Sequence, residues 1–163
     1  MNYRGIILGA IAVIGLVLII FSQQDKGAVV RRAVVGLEAP EFRVLDKDGT
    51  ETRLSQLKDK TVFVHYWASW CKECREEMPG IQALYERKKA DQSFVFISVI
   101  YREDPKVSKQ WLIDNGFDIP IYVDPKGEAA RTYGLTGVPE TFIVEPNGIL
   151  KIRILGPTDW SKI

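Results

Sequence analysis

Thr61-Val62-Phe63-Val64-His65-Tyr66-Trp67-Ala68-Ser69-Trp70-Cys71-Lys72-Glu73-Cys74 is the stretch on which the fold of this chain turns. Its first half, Thr61 to Trp67, is an unbroken apolar, β-branched and aromatic run, the pattern of a strand buried on both faces at the centre of a sheet. Its second half places the only two cysteines of the sequence at the passage from that strand into a helix. A Cys-x-x-Cys pair in that context switches between dithiol and disulfide at little structural cost and so carries two electrons. The other readings are a purely structural disulfide and half of a zinc site. Zinc needs about four ligands, and the chain offers no second cysteine pair and one histidine.

The helix after the pair is marked by Met78, Ile81, Leu84 and Tyr85, spaced to give one apolar face, with Pro79 expected to kink it. At its N-terminus, free backbone N–H groups and the positive end of the helix dipole favour thiolate over thiol at Cys71, which makes it the attacking sulfur. Cys74, one turn further in and better shielded, is suited to resolve a mixed disulfide formed by Cys71. Lys72 and Glu73 bring opposite charges to the same turn, with partly cancelling effects. Trp70, next to Cys71, is the aromatic read as lining the place where a substrate docks. His65 lies within the buried strand and reads as a core histidine.

Outward from this centre, strands and helices alternate. Phe42–Leu45 and Glu51–Leu54 flank the turn Asp46-Lys47-Asp48-Gly49 and predict a β-hairpin, after which Ser55 starts a short helical turn. Ser93–Ile100 reads as a second buried strand. Pro105–Asn115 reads as a helix with Val107, Trp111 and Leu112 inward and Gly116 as its stop. Ile119–Val123 is a short strand, Gly127–Tyr133 a short helix, and Thr141–Val144 with Leu150–Ile154 a hairpin around Pro146-Asn147-Gly148. Thr158-Asp159-Trp160 looks like a helix start with Thr158 as N-cap. The order ββ, βαβαβα, ββ defines an α/β fold with a mixed sheet.

Lys and Arg number 22 against 21 Asp and Glu, so net charge suggests neither nucleic acid nor a polyanion as partner. Gly5 to Phe21 carries no charge and, at about 17 residues, is near the short limit for crossing a bilayer. A cleaved signal peptide fits less well, because its apolar region is typically about 7–15 residues and is followed by a small-residue cleavage site. The expected organisation is therefore a membrane anchor over residues 1–22, a tether over 23–35 and one domain over 36–163. A lone cysteine pair suits an oxidising compartment, which places the domain on the extracytoplasmic side of the cytoplasmic membrane.

Trp67-Ala68-Ser69-Trp70-Cys71-Lys72-Glu73-Cys74-Arg75-Glu76-Glu77-Met78-Pro79, together with Gly137-Val138-Pro139-Glu140-Thr141-Phe142, resembles the membrane-anchored thioredoxin-like thiol:disulfide reductases of cytochrome c maturation. The likeness runs from about Gly36 to the end. It implies a thioredoxin-like fold with an N-terminal hairpin and an inserted helix–strand unit, and a cis Val138-Pro139 bond closing a substrate groove against the cysteines. It also implies catalytic carboxylates at Glu77, three residues after Cys74, and at Glu140, directly after the proline. A carboxylate near the inner sulfur can raise thiol pKa values and move the proton that Cys74 gives up. From the residues alone, Glu77 reads equally as a solvated helix carboxylate beside Glu73 and Glu76, and Glu140 as a loop charge. Many relatives have proline where this chain has Glu73.

The function so implied is reduction of disulfides in exported proteins, with apocytochrome c as client and a membrane thiol-electron transporter as donor. No metal and no cofactor beyond the Cys71–Cys74 couple is expected. Copper-site cysteines of a respiratory oxidase are an alternative client. A non-catalytic binding module with the pair permanently bridged is an alternative of another class.

Overall fold

The computed structural model describes residues 13–15 and 32–162. Residues 13–15 are helical, and the rest of the expected anchor, with residues 23–31 of the tether, lies outside the described residues. Among the described residues no helix is long and apolar enough to cross a membrane. The unit that carries the fold runs from residue 31 to 163. Ala33 is buried in it, and its N–H donates to the Thr132 carbonyl at 3.3 Å.

The elements follow in the order β1 (Arg43–Asp46), β2 (Glu51–Arg53), β3 (Thr61–Trp67), α1 (Lys72–Lys88), β4 (Phe94–Ile100), α2 (Pro105–Asp114), β5 (Tyr122–Val123), α3 (Glu128–Thr132), β6 (Glu140–Val144) and β7 (Leu150–Leu155). They build a seven-stranded mixed sheet in the order β2-β1-β5-β4-β3-β6-β7. β3 pairs in parallel with β4 and antiparallel with β6, so the strand before the cysteines is central, as its sequence demands. The N-terminal hairpin β1–β2 extends the sheet beyond β5. Its turn is held by the Asp46 carboxylate, which accepts from Asp48 N and Thr50 N, while Gly49 supplies the positive φ of 79° that the turn requires.

Alternation along β3 divides the core. Val62, Val64 and Tyr66 join Phe142, Val144 and Tyr133 on one face, where α3 packs. Phe63 and Trp67 join Met78, Ile81, Leu84, Leu112, Ile143 and Trp160 on the other, under α1 and α2. Phe63 and Trp67 are fully buried, and truncating either to alanine would cost about 3–5 kcal/mol. His65 and Thr141 share the α1 face by the same alternation, since they are register partners of odd number.

Four expectations are corrected. Val107 is 53% exposed, and Ser108 takes the inward place because its hydroxyl donates to Glu103, fixing the first turn of α2 so that Ser108 and Leu112 face the sheet. β5 shrinks to two residues, since Pro120 lacks the N–H a ladder needs. Cys71 does not lie within the first turn of α1 but is its N-cap. At the C-terminus Thr158 caps nothing. Asp159 accepts from Ser161 N and Oγ, and a short 3-10 turn, Trp160–Lys162, follows.

Candidate active site

Cys71 and Cys74 are joined by a disulfide at the head of α1. Cys71 leaves β-type backbone geometry at φ −80°, ψ 114°, and its sulfur accepts from Cys74 N at 3.1 Å, so the first sulfur is also the helix cap. That N–H is one of the donors an α-helix leaves unused, and it would stabilise negative charge on Cys71. Cys74 is fully buried and Cys71 is 4% exposed, while Trp70, its neighbour in sequence, is exposed. The turn is fixed from below by Glu103 in the β4–α2 loop, whose carboxylate accepts from Ser69 N at 3.0 Å, from Ser69 Oγ at 2.7 Å and from Ser108 Oγ.

Opposite the pair stands the loop before β6. Val138-Pro139 is cis, as the resemblance implies, and the Val138 carbonyl oxygen lies 3.6 Å from Cys71 Sγ. Trp70, Cys71, Val138 and Pro139 are thus brought to one end of the molecule. The charges beside the sulfurs are unequal. Glu73 Oε2 is 4.0 Å from Cys71 Sγ, while Lys72 is drawn away to Glu76, with Nζ 3.6 Å from Oε1.

Glu77 is buried on the inner face of α1, one turn beyond Cys74. Trp160 Nε1–H donates to its Oε2 at 2.8 Å and Thr158 N–H at 3.3 Å. Its Oε1 faces His65 Nε2 at 3.5 Å. Burial pushes the Glu77 carboxyl up to about 7, against the opposing pull of the Trp160 and Thr158 donors. Burial alone brings His65 down to about 3. Glu77 is therefore no solvated helix carboxylate.

Glu140 is not brought to the sulfurs. It points to the α3 face with Phe142, where Arg153 Nε and Nη2 each lie 2.7 Å from its Oε1. Its Oε2 accepts from Thr136 N at 3.0 Å and from Thr136 Oγ1 at 3.2 Å. These bonds tie the cis-proline loop to β7.

Sequence reasoning missed three contributors. Glu103 carried no motif. Trp160 and Thr158 reach Glu77 only through tertiary closure of the last turn. The facing of His65 toward Glu77 was available from strand alternation, because Phe63 and Trp67 share its parity.

A mixed sheet of this order, with an oxidisable cysteine pair capping the helix after its central strand and a cis proline across from it, is the architecture of thioredoxin-like thiol:disulfide oxidoreductases. Similarity agrees with that class, and the protein is such an oxidoreductase. The chain belongs to the AhpC/TSA family, which it matches over residues 35–153. It is 34% identical over 152 residues to the thiol-disulfide oxidoreductase ResA of Geobacillus kaustophilus, covering 93% of this chain and 84% of that protein. It is 31% identical over 144 residues to the thiol:disulfide interchange protein DsbE-2 of Pasteurella multocida, covering 86% and 72%. A crystal structure of a DsbE-type thiol:disulfide interchange protein of Chlorobium tepidum superposes with a TM-score of 0.68 at 28% identity, covering 80% of this chain and 91% of that one. The chain is thus of the ResA and DsbE kind.

Proposed function

We propose that the protein is a membrane-tethered, extracytoplasmic reductant of disulfides in exported proteins, with apocytochrome c as its client. The observation that carries the reductant direction is the charge around the sulfurs: Glu73 Oε2 stands 4.0 Å from Cys71 Sγ, and Lys72 is engaged by Glu76. Negative charge beside a sulfur opposes its thiolate. A dithiol whose thiolate is poorly stabilised gives up electrons readily, whereas strong oxidants of this fold stabilise theirs. The client follows from the resemblance to reductases of cytochrome c maturation, and the anchor over residues 1–22 from the uncharged run Gly5 to Phe21. A membrane thiol-electron transporter is the donor.

In this cycle the Cys71 thiolate attacks one sulfur of the client disulfide, and the other client sulfur leaves as a thiolate. Cys74 loses its proton toward Glu77 and attacks Cys71. The client's second sulfur is then released as a thiolate, leaving the Cys71–Cys74 disulfide and a client reduced by two electrons. Trp70 and Val138, with the buried Pro139 behind Val138, form the surface on which an extended client segment lies. Glu140 holds that surface through Arg153 and Thr136 and does not touch the sulfurs.

The test is a Cys71→Ala strain. We expect c-type cytochromes to lack covalent haem in it, and normal maturation would refute the assignment. Trapping with Cys74→Ser identifies the client directly, since the unresolved mixed disulfide persists. Capture of an oxidase copper-site subunit instead would transfer the role to that client.

A further inference from the structure

His65 Nε2 and Glu77 Oε1 face one another, buried and 3.5 Å apart, and neither has a hydrogen-bond partner among the described residues. No other buried side-chain nitrogen or oxygen among those residues is left so. The remaining polar atoms of both groups are engaged. His65 Nδ1 is 2.8 Å from Thr141 Oγ1, and Glu77 Oε2 takes the Trp160 and Thr158 donors. An orphaned buried polar atom costs about 1–3 kcal/mol. Two orphans side by side, one on a carboxyl and one on an imidazole, are both satisfied by a single proton between them.

We propose that His65 and Glu77 share one proton and titrate as a single group, which makes His65 a positioning residue for the proton exchange of Cys74. The proposal rests on the reading of Cys71 and Cys74 given above. Two arrangements satisfy every atom. With Glu77 ionised, His65 carries its hydrogen on Nε2 and donates to Oε1, while Nδ1 accepts from the Thr141 hydroxyl. With Glu77 protonated, its O–H donates to Nε2, and the His65 hydrogen sits on Nδ1, donating to Thr141 Oγ1. Taking up one proton therefore reverses the imidazole tautomer and turns the Thr141 hydroxyl around, without creating an imidazolium. Burial favours this neutral arrangement at both ends, holding His65 near 3 and raising Glu77 to about 7.

The surroundings leave the pair to itself. Phe63 of β3 stacks on the imidazole, and Trp160 meets it edge-on. Thr141 is the polar side chain from β6, and its neighbour Glu140 is directed to the other face and paired with Arg153. From α1, Arg87 donates to the Trp160 carbonyl, and the disulfide lies one turn before Glu77. In the C-terminal turn, Asp159 is held by Ser161 and Lys162.

The chemical use follows when the donor restores the dithiol. A donor thiolate attacks Cys71, the Cys71–Cys74 bond breaks, and Cys74 leaves with the electron pair. Cys74 takes the proton from Glu77, and His65 gives up its Nδ1 proton to water and takes one from water on Nε2, so that Nε2–H bonds the new carboxylate. The donor's second thiolate then displaces Cys71, so the donor is oxidised to its disulfide, and water restores the shared proton.

A single histidine makes the test direct. The full chain, 15N-labelled at histidine and held in detergent micelles, is followed by NMR from roughly pH 5 to 9, the range in which imidazole tautomers are read. We expect the Nδ1–H tautomer at low pH, the Nε2–H tautomer at high pH, one midpoint near 7 and no imidazolium. In Glu77→Gln the exchange of tautomers should be lost. His65→Phe keeps a ring between Phe63 and Trp160, and in it the Glu77 carboxyl resonance should titrate at higher pH than in the wild type. A tautomer that stays fixed, an imidazolium within the range, or an exchange that persists in Glu77→Gln would overturn the proposal. Failure of cytochrome maturation tests bears on the client alone and leaves this spectrum unchanged.

Discussion

Glu77 feels two opposed influences, burial that favours its protonated form and the Trp160 and Thr158 donors that favour its carboxylate. Replacing Trp160 by Phe removes the stronger donor and leaves Oε2 short of a partner. We expect a loss of about 1–3 kcal/mol in urea denaturation, together with a carboxyl that titrates above the wild-type value. At Glu140 the same logic gives a larger effect. Arg153→Ala strands a buried carboxylate and should cost about 3 kcal/mol, because breaking a buried pair leaves a charge without compensation. The exposed pair of Lys151 with Glu145 is the control, and Lys151→Ala should change the midpoint by less than about 0.5 kcal/mol.

The helix α1 begins on a sulfur, and this makes the reactive residue part of the scaffold. Between two variants that cannot form the disulfide, Cys71→Ser keeps an acceptor for Cys74 N–H and Cys71→Ala does not. The serine variant should be the more stable by about 0.5–2 kcal/mol in thermal or urea unfolding. Further along, Gly80 lets the last turn approach, since a β-carbon there would lie 3.2 Å from Trp160 Cδ1. β3, α1, β4 and the closing hairpin were legible in the sequence because each has a single strong period or run. Val107 was misplaced because one apolar residue near a helix start cannot outweigh a serine that bonds its neighbouring loop. Ile119–Val123 was read too long because composition was weighed above the proline inside it. The site was half legible: Cys71 and Cys74 announce themselves locally and Pro139 through the resemblance, whereas what surrounds Glu77 depends on Trp160, 83 residues away in sequence.

For the molecule as a whole, the buried pair gives stability a characteristic pH response. His65 binds its proton less readily folded (about 3) than at its ordinary 6.5, so it withdraws stability as pH falls from 6.5 toward 3. Glu77 binds more readily folded (about 7) than at its ordinary 4.5, so it withdraws stability as pH rises from 4.5 toward 7. Between 4.5 and 6.5 the two slopes oppose and cancel, leaving from this pair a level region with a decline below 4.5. In Glu77→Gln the compensation is gone, and the urea midpoint should fall steadily from pH 6.5 downward. A wild-type midpoint that slopes as steeply as the variant's would contradict this. The C-terminal turn has a practical corollary for anyone preparing the protein. A version trimmed before Thr158, or one whose trailing fusion pulls Trp160 loose, would retain both sulfurs and its sheet yet admit water to the acid beneath them. Redox measurements made on such a shortened form would describe a different reagent.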